Sequence, residues 1–376
     1  MVDRVAAFTD TYLPTVNGVS YTLHTWATRF SAAGGRMEVV FPESDHDPAP
    51  HEFPVGSLPF PFYDGVRLGQ PRVPEDLSSA AVVHAHTPFA LGLAARRYAR
   101  SLGVPLVASY HTPAAEYARY LAPGIGTALV GRLASGYERW FYDGADLVIA
   151  PSATAREHVR DDLGVSTPVT VVSNGVDLEC FDPERGDSAA FRARQDLSPD
   201  GHLIGYTGRH GHEKRLEELI DAAAILDTRL TDSLTLVVAG DGPARQKLMA
   251  RAEMKGLDAR FPGFLDRQTL PDLYATLDVF GFPSPVETQG LVALEAIASG
   301  TPVVAADEGA LAETVTGRTG RHYPSGDVEA FADALEAALL ERERLAARCC
   351  RRRSELSVER SLERLRSIYA ATVERG

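Results

Sequence analysis

The chain has 376 residues, a hydrophobic fraction of 44% and a formal net charge of −13. At about 100–200 residues per domain, this length predicts two domains. The acidic balance argues against nucleic acid as a partner, because phosphate binding needs a basic face. The chain shows no apolar run of the roughly 18 residues that span a bilayer and no basic segment before an apolar one, so we expect neither a membrane span nor a signal peptide.

The three cysteines argue for a reducing compartment. Cys180, Cys349 and Cys350 are odd in number, and two of them are adjacent, so they fit neither a disulfide framework nor a metal-binding spacing. We therefore expect a cytoplasmic protein.

Short apolar runs alternate with helical patterns along the first half of the chain. A polar turn at Thr9–Ser20 and a helix at Tyr21–Ala33 follow the first predicted strand. The runs are continuously apolar, which is typical of parallel strands covered on both faces. The predicted strands are Val5–Phe8, Met37–Phe41, Val82–His84, Pro105–Tyr110, Asp146–Ala150 and Val169–Val172.

The stretch Asn174–Ser198 is polar and rich in turn residues, and it predicts an interdomain connection. A second alternating series follows it, and the tail from Val328 to Arg375 is helical. The strands predicted in this series are Leu203–Thr207, Leu234–Ala239, Val279–Pro283 and Pro302–Ala305. The helices predicted between them are Glu213–Leu226, Pro243–Lys255 and Leu291–Ser299.

Two consecutive strand–helix series predict an α/β protein built from two doubly wound, Rossmann-like domains with parallel sheets. We place the domains at 1–180 and 181–357, with a C-terminal helix at about 358–376 packing back on the first. Ligands in such folds bind beyond the carboxyl ends of the strands. We therefore expect the site in a cleft between the two facing domains.

Two glutamates eight positions apart are the first candidate site residues. Glu287 lies in a loop after a predicted strand, and Glu295 lies in the helix that follows. Gly290 lets the backbone approach a ligand, and the amides at the helix start can hold a diphosphate. Carboxylates beside them can accept hydrogen bonds from sugar hydroxyls. The alternative is a first-turn carboxylate and a solvated helix residue with no such role.

Arg209 and Lys214 form a second candidate pair after the strand Leu203–Thr207. At this spacing they can clamp a diphosphate and stabilise its charge as it leaves. Lys214 is the first of three lysines among 38 basic residues, which indicates a need for a compact ammonium. Two solvated cations at a helix start would give the same pattern. His210 and His212 have no third ligand nearby, so we interpret them as loop residues.

These motifs together resemble glycosyltransferase family 4, which has the GT-B fold. The resemblance rests on the Glu287–Glu295 segment with the following Ala298–Ala305, on Gly208–Lys214 and on Ser173–Asp177, and it covers essentially the whole chain. It implies a retaining, metal-independent hexosyltransferase. The donor would be a UDP- or GDP-linked sugar, and no cofactor would be needed.

The resemblance also implies a role for each matching residue. Arg209 and Lys214 would bind the diphosphate. Glu287 would contact the hydroxyls of the donor sugar, and Glu295 would hold those of the ribose. The residues that would offer backbone amides near the phosphate or the sugar are Gln289, Gly290 and Leu291.

Three further site residues lie in the first half of the chain. His111 matches a histidine that faces the transferred sugar, and Asn174 lies in the matching Ser173–Asp177 sequence. Gly18, in Pro14–Ser20, matches a glycine loop whose amides would approach the donor phosphates. A structural histidine and a plain Asn-Gly turn are the alternatives.

The segment His84–Leu121 and the sequence Glu287–Gly290 resemble diacylglycerol glucosyltransferases and lipid mannosyltransferases. This favours UDP-glucose as donor and a membrane lipid as acceptor, at the inner face of the cell membrane. GDP-mannose is the alternative donor, and a glycan is the alternative acceptor. The aromatic and basic residues from Tyr117 to Phe141, with the loop Leu58–Tyr63, suit an interfacial helix and equally a core-facing one.

Three other interpretations stay open. Asp45–Asp47 is an Asp-x-Asp sequence of the kind that metal-dependent transferases of another fold use, but it lies in a polar loop. A phosphorylase of the same fold would need a pyridoxal phosphate lysine. A non-catalytic binding protein would be expected to lose one of the four charged site residues, and all four are present.

Overall fold

The structure, a computed structural model, describes residues 2–59, 67–111 and 127–375, and the side chains of 127–129 lie outside this description. The chain forms two compact units. Unit 1 comprises Met1–Gly175 with Val358–Gly376, and unit 2 comprises Val176–Ser357. The chain thus enters unit 2 at Val176 and returns to unit 1 for its last helix.

Unit 1 is built on a parallel sheet, as the apolar runs predict. Its strands are β1 (Arg4–Phe8), β2 (Arg36–Pro42), β3 (Glu52–Val55), β6 (Val82–Ala85), β7 (Leu106–Ser109), β8 (Leu147–Ala150) and β9 (Val169–Val171), with β4 (Ser57–Pro59) and β5 (Arg67–Gly69) as a separate antiparallel pair. The seven strands of the sheet follow the order β3-β2-β1-β6-β7-β8-β9. The sequence pattern misses β3 because it is short and carries a buried glutamate, Glu52.

Helices cover both faces of this sheet, and each face has its own apolar core. They are α1 (Gly18–Ala32), α2 (Ala90–Leu102), α3 (Thr127–Tyr142), α4 (Ala153–Glu157), which continues as a π-helical turn (His158–Asp162), and the C-terminal helix (Val358–Val373). Helix α1 begins before the predicted Tyr21 because Asn17 caps it. The Asn17 side chain accepts hydrogen bonds from the amides of Val19 and Ser20.

Unit 2 contains a second parallel sheet in the order β12-β11-β10-β13-β14-β15. Its strands are β10 (His202–Thr207), β11 (Leu234–Ala239), β12 (Ala259–Gly263), β13 (Val279–Phe282), β14 (Val303–Ala306) and β15 (Gly320–Tyr323). Its helices are α5 (Ser188–Arg194), α6 (Leu216–Asp227), α7 (Arg245–Lys255), α8 (Leu270–Thr276), α9 (Leu291–Ala298), α10 (Gly309–Thr314), α11 (Val328–Leu340) and α12 (Arg342–Arg352), with 3-10 turns at His212–Lys214 and Arg353–Leu356. The predicted α/β class with two Rossmann-like parallel sheets is confirmed.

The prediction of a connecting segment at Asn174–Ser198 is wrong for most of its length. From Val176 onward this stretch belongs to unit 2. Phe181 and Phe191 are fully buried in the core of that unit, and Phe191 lies on α5. The turn residues between them predict a linker wrongly, because they change the direction of the chain while the two aromatic side chains stay packed in the core.

Phe191→Ala is expected to lower the free energy of unfolding of unit 2 by about 3–5 kcal/mol, because it leaves a cavity in a packed core. Phe264, whose exposed fraction is 58%, is the matched control. Phe264→Ala should change stability by no more than about 0.5 kcal/mol. Urea denaturation followed by circular dichroism measures both, and equal losses would show that α5 is peripheral.

Helix α3 is amphipathic in its described part. Phe141 is buried in the core of unit 1, whereas Leu133 and Trp140 are 66% and 52% exposed. Tyr117, Tyr120 and Leu121 lie outside the described residues, as does most of the loop Leu58–Tyr63. Within the described ranges, no helix is both long and apolar enough to cross a membrane.

Candidate functional site

Lys214 and Glu287 form the central contact of the site in unit 2. Lys214 ends the 3-10 turn after β10, and Glu287 lies in the loop between β13 and α9. Because β10 and β13 are neighbouring parallel strands, these two loops leave the sheet at the same edge. The Lys214 ammonium donates a hydrogen bond of 2.6 Å to Glu287 Oε1, and the two side chains are 19% and 14% exposed.

The electrostatics of this pair keep Lys214 charged. Burial of the ammonium alone would lower the pKa of Lys214. The negative charge of Glu287, the nearby Tyr206 hydroxyl and the hydrogen bond to Glu287 outweigh burial and raise the pKa above its usual value. Lys214 therefore provides a cation that its hydrogen bond to Glu287 holds in position.

The loop that carries Glu287 is shaped by two glycines. Gly290 has a φ of +77°, and a Cβ there would lie 2.6 Å from the Leu311 side chain, so the position requires glycine. Gly309 begins α10, and the amide of Ala310 donates to the Glu287 carbonyl at 3.4 Å. The predicted placement of Glu287 in a loop before a helix that starts at Leu291 is confirmed.

Gln289 is buried, and its carbonyl accepts a hydrogen bond of 2.8 Å from Thr314 Oγ1. The backbone around Gly290 is therefore tied to α10. Leu291 is the first residue of α9, directly after Gly290, and the helix has no side-chain cap. The amides at this helix start thus match the geometry of an anion-binding turn.

Glu295 lies one turn further along α9 and is buried, which excludes the solvated alternative. Arg267 Nη1 lies 3.1 Å from Oε1, and the Tyr274 hydroxyl donates to Oε2 at 3.1 Å. Burial raises the pKa of Glu295, and the Arg267 charge and the Tyr274 hydroxyl oppose that shift without cancelling it. No sequence motif indicates Arg267 or Tyr274 as a partner of Glu295.

Arg209 follows β10 and pairs with Glu213. Its Nη1 lies 3.5 Å from Glu213 Oε1. The predicted helix start at Glu213 is wrong, because Arg215 has a φ of +49° and α6 begins only at Leu216. This break places Glu213 and Lys214 on the preceding turn, so both project from the loop and not from the helix.

Three histidines cluster in unit 1 at the carboxyl ends of β6 and β7. His84 bonds to the Tyr369 hydroxyl at 2.6 Å and to Ser109 Oγ at 2.8 Å. His86 Nδ1 lies 3.1 Å from His111 Nε2, and the two rings are stacked. His111 therefore lies at a strand end, as predicted, and it belongs to a histidine array that no sequence motif indicates beyond the His84–His86 repeat.

Stability of unit 1 is expected to fall as the pH drops below about 6.5. Burial lowers the pKa of His84 to about 3 and that of His111 to about 4, from 6.5. Below pH 6.5 the unfolded chain therefore binds protons at these histidines while the native chain does not, and this difference favours unfolding. His84→Gln should make the slope shallower by about 1.4 kcal/mol per pH unit between pH 6 and pH 4. Parallel slopes in denaturant titrations of the variant and the wild type would contradict this.

Gly18 and Asn174 both lie near α1. Gly18 is its first residue, and the next two amides are held by the Asn17 side chain at 3.0 and 2.9 Å. The Asn174 carbonyl accepts a hydrogen bond of 2.8 Å from Trp26 Nε1. Asn174 is thus buried against the middle of α1.

The Asp45–Asp47 loop is organised around an internal carboxylate. His46 Nε2 lies 2.7 Å from Glu52 Oε2, and the Tyr12 hydroxyl donates to Glu52 Oε1 at 2.7 Å. Within the part of the chain that the structure describes, no group of three or more histidine, cysteine or acidic side chains is arranged to hold a metal ion.

Two family models match this chain, one in each half of the sequence. The model of Glycosyltransferase Family 4 matches residues 16–180, and that of Glycosyl transferases group 1 matches residues 187–353. A GDP-mannose-dependent alpha-mannosyltransferase of Mycolicibacterium smegmatis is 33% identical over 352 residues, 89% of this chain and 88% of the relative. An alpha-monoglucosyldiacylglycerol synthase of Streptococcus pneumoniae is 30% identical over 318 residues, 80% of this chain and 70% of the relative.

Among solved structures, a sucrose-phosphate synthase from Thermosynechococcus elongatus matches with a TM-score of 0.79 at 20% identity, covering 99% of both chains. This likeness, with the two doubly wound parallel sheets, defines a GT-B protein. The chain belongs to glycosyltransferase family 4, with a group 1 glycosyltransferase domain in its second half. It is therefore a glycosyltransferase, and the predicted family is confirmed.

Proposed function

We propose that the protein transfers a hexose, with retention of anomeric configuration, from a nucleoside diphosphate sugar to a hydroxyl group of a membrane lipid. The observation that carries the proposal is the mostly buried Lys214–Glu287 pair beside the start of α9, which has no side-chain cap. A fixed ammonium and a helix N-terminus together suit a diphosphate. The adjacent carboxylate suits the hydroxyls of the sugar.

In the proposed reaction, the acceptor oxygen bonds to the anomeric carbon as the bond from that carbon to the phosphate oxygen breaks. The acceptor proton passes to the departing phosphate oxygen. Lys214 and Arg209 stabilise the charge that develops on the diphosphate, and such preorganised charges can supply most of the rate enhancement. No protein base or metal ion takes part in this scheme, so transfer should persist in EDTA.

Unit 2 would bind the donor. Glu287 would orient the sugar, Glu295 the ribose, and the amides of Gln289 to Leu291 the phosphates. Unit 1 would contribute His111 toward the transferred sugar and would bind the acceptor. The loop at Gly18 would approach the donor phosphates, and Asn174 would contact a substrate. His111 would act as a neutral hydrogen-bonding group, because its lowered pKa leaves it uncharged at pH 7.

Two donors are candidates, each favoured by a specific observation. The name of the Mycolicibacterium relative, which is similar over 89% of this chain, favours GDP-mannose. The sequence Glu287–Gly290 and the name of the Streptococcus relative favour UDP-glucose and a diacylglycerol-type acceptor. We favour GDP-mannose as the donor, because the similarity to the Mycolicibacterium relative extends over more of both chains than the similarity to the Streptococcus relative. A lipid acceptor would bring the protein to the inner face of the cell membrane.

The test is incubation of the full chain with radiolabelled GDP-mannose, UDP-glucose or UDP-galactose and total membrane lipid, followed by thin-layer chromatography. We expect label from one donor to enter a lipid band. The anomeric coupling constant of the product, measured by NMR, should match that of the donor. Inversion would rule out the retaining mechanism.

Binding without transfer would favour the alternative, a non-catalytic sugar-nucleotide-binding protein. Thermal-shift measurements with UDP and GDP separate the two cases. Failure of both nucleotides to bind would overturn the proposal. Binding followed by label in a glycan fraction would correct only the acceptor.

A further inference from the structure

Arg267 forms the closest charged contact to Glu295 and is itself fixed in place. Its guanidinium lies 4.9 Å from the centre of the Phe181 ring, a cation–π distance. Phe181 is fully buried and packs edge-on against Tyr274 at 5.8 Å. Arg267 lies in the loop before α8 and Tyr274 lies on α8, so one segment supplies both hydrogen bonds to Glu295, and Phe181 packs against both side chains from a separate segment.

The hydrogen-bond inventory of Glu295 leaves room for a ligand. An ionised carboxylate has about four acceptor positions, two on each oxygen. Arg267 uses a position on Oε1, and Tyr274 uses one on Oε2. One acceptor position therefore remains on each oxygen, which matches two neighbouring hydroxyl groups.

The state of the carboxylate decides whether such a diol can bind. Two hydroxyl donors need an ionised carboxylate, since a protonated carboxyl group has lost acceptor positions. Burial favours the protonated form of Glu295, and the guanidinium of Arg267 opposes it. Without Arg267, the carboxyl group would be less ionised and would be held by the Tyr274 hydroxyl alone.

We propose that Arg267 is a positioning residue that holds the Glu295 carboxylate in the orientation that the proposed ribose contact requires, so that Arg267 strengthens the preference of the site for ribonucleoside over 2′-deoxyribonucleoside diphosphates. Arg267 acts through Glu295 and takes no part in the transfer step. The inference rests on the proposed function, since it assumes that unit 2 binds a nucleoside diphosphate.

The test compares the Kd of UDP and GDP with those of 2′-deoxy-UDP and 2′-deoxy-GDP by isothermal titration calorimetry. For the base that the protein binds, the wild type should prefer the ribonucleotide by about 10- to 100-fold, the effect of one hydrogen bond to a charged group. Arg267→Met should reduce this preference to about threefold or less, mainly by weakening the ribonucleotide. Arg267→Lys keeps the charge but not the planar geometry of the guanidinium, so its preference for the ribonucleotide should lie between those of the wild type and Arg267→Met.

Arg229 provides the matched control, because it also pairs with carboxylates in unit 2, at 3.0 Å from Glu329 and 2.7 Å from Asp333. Arg229→Met should keep the wild-type preference. Tyr274→Phe preserves the ring but removes the hydrogen bond to Oε2, so it should lose part of the preference for the ribonucleotide. This variant keeps the test decisive even if Arg267→Met fails to fold.

An unchanged preference in Arg267→Met, or in Tyr274→Phe and Arg267→Lys together, would overturn the inference. Equal binding of ribo- and deoxyribonucleotides by the wild type would also overturn it, while leaving the transferase proposal intact. If the wild type binds neither UDP nor GDP, the proposed function itself fails.

Discussion

Lys214→Met is expected to reduce kcat/KM for sugar transfer by about 10²–10³-fold, which corresponds to about 2.7–4 kcal/mol of lost transition-state stabilisation. The ammonium is held at 2.6 Å from Glu287 and remains charged, so under the proposed function it would stabilise the leaving diphosphate without reorganisation. The change should lower stability by only about 1–3 kcal/mol, the cost of leaving Glu287 without its partner. Steady-state kinetics with saturating acceptor, together with the melting temperature, measures both effects.

Lys247 is the matched control for this substitution. It also faces a glutamate, Glu217, but at 4.0 Å and with 63% of its side chain exposed. Lys247→Met should retain wild-type turnover. Lys214→Arg should rescue only partly, because a planar guanidinium cannot replace a compact ammonium in the same contact. Wild-type turnover in Lys214→Met would show that Lys214 has no role in sugar transfer.

The apolar patterns of the sequence predict most of the sheet strands, because continuous hydrophobic runs leave few alternatives to buried parallel strands. They also place Glu287, Gly290 and Glu295 correctly, since a loop between a strand and a helix is a local feature. What they cannot predict is pairing at a distance. Lys214 and Glu287 are 73 positions apart, and their contact depends on the neighbouring positions of β10 and β13.

The errors have the same origin. Phe181 and Phe191 sit among turn residues, so local composition indicates a connection, whereas their burial is set by the core of unit 2. Arg267 gives no signal at all, because an arginine before a helix is ordinary until its partner is known to be a buried glutamate. Such side chains are found only when tertiary contacts are available.

Glu287→Ala is expected to lower kcat by about 10²-fold or more while making the nucleoside diphosphate product bind more tightly. Glu287 holds the Lys214 ammonium at 2.6 Å, so it would compete with the proposed diphosphate for that ammonium. Removing the carboxylate would lose the proposed hydrogen bonds to the sugar and would leave the ammonium entirely to the phosphates. The inhibition constants of UDP and GDP, measured beside kcat, should therefore fall as kcat falls.

A double-mutant cycle separates this mechanism from two independent losses. If Lys214 and Glu287 act as a unit, the variant with both replaced should be little worse than Lys214→Met alone, because effects of groups that act together are not additive. Glu217→Ala, which removes the carboxylate facing the exposed Lys247, should change neither kcat nor product inhibition. Additive losses, or weaker product binding in Glu287→Ala, would mean that Glu287 contributes to the site without controlling the position of Lys214.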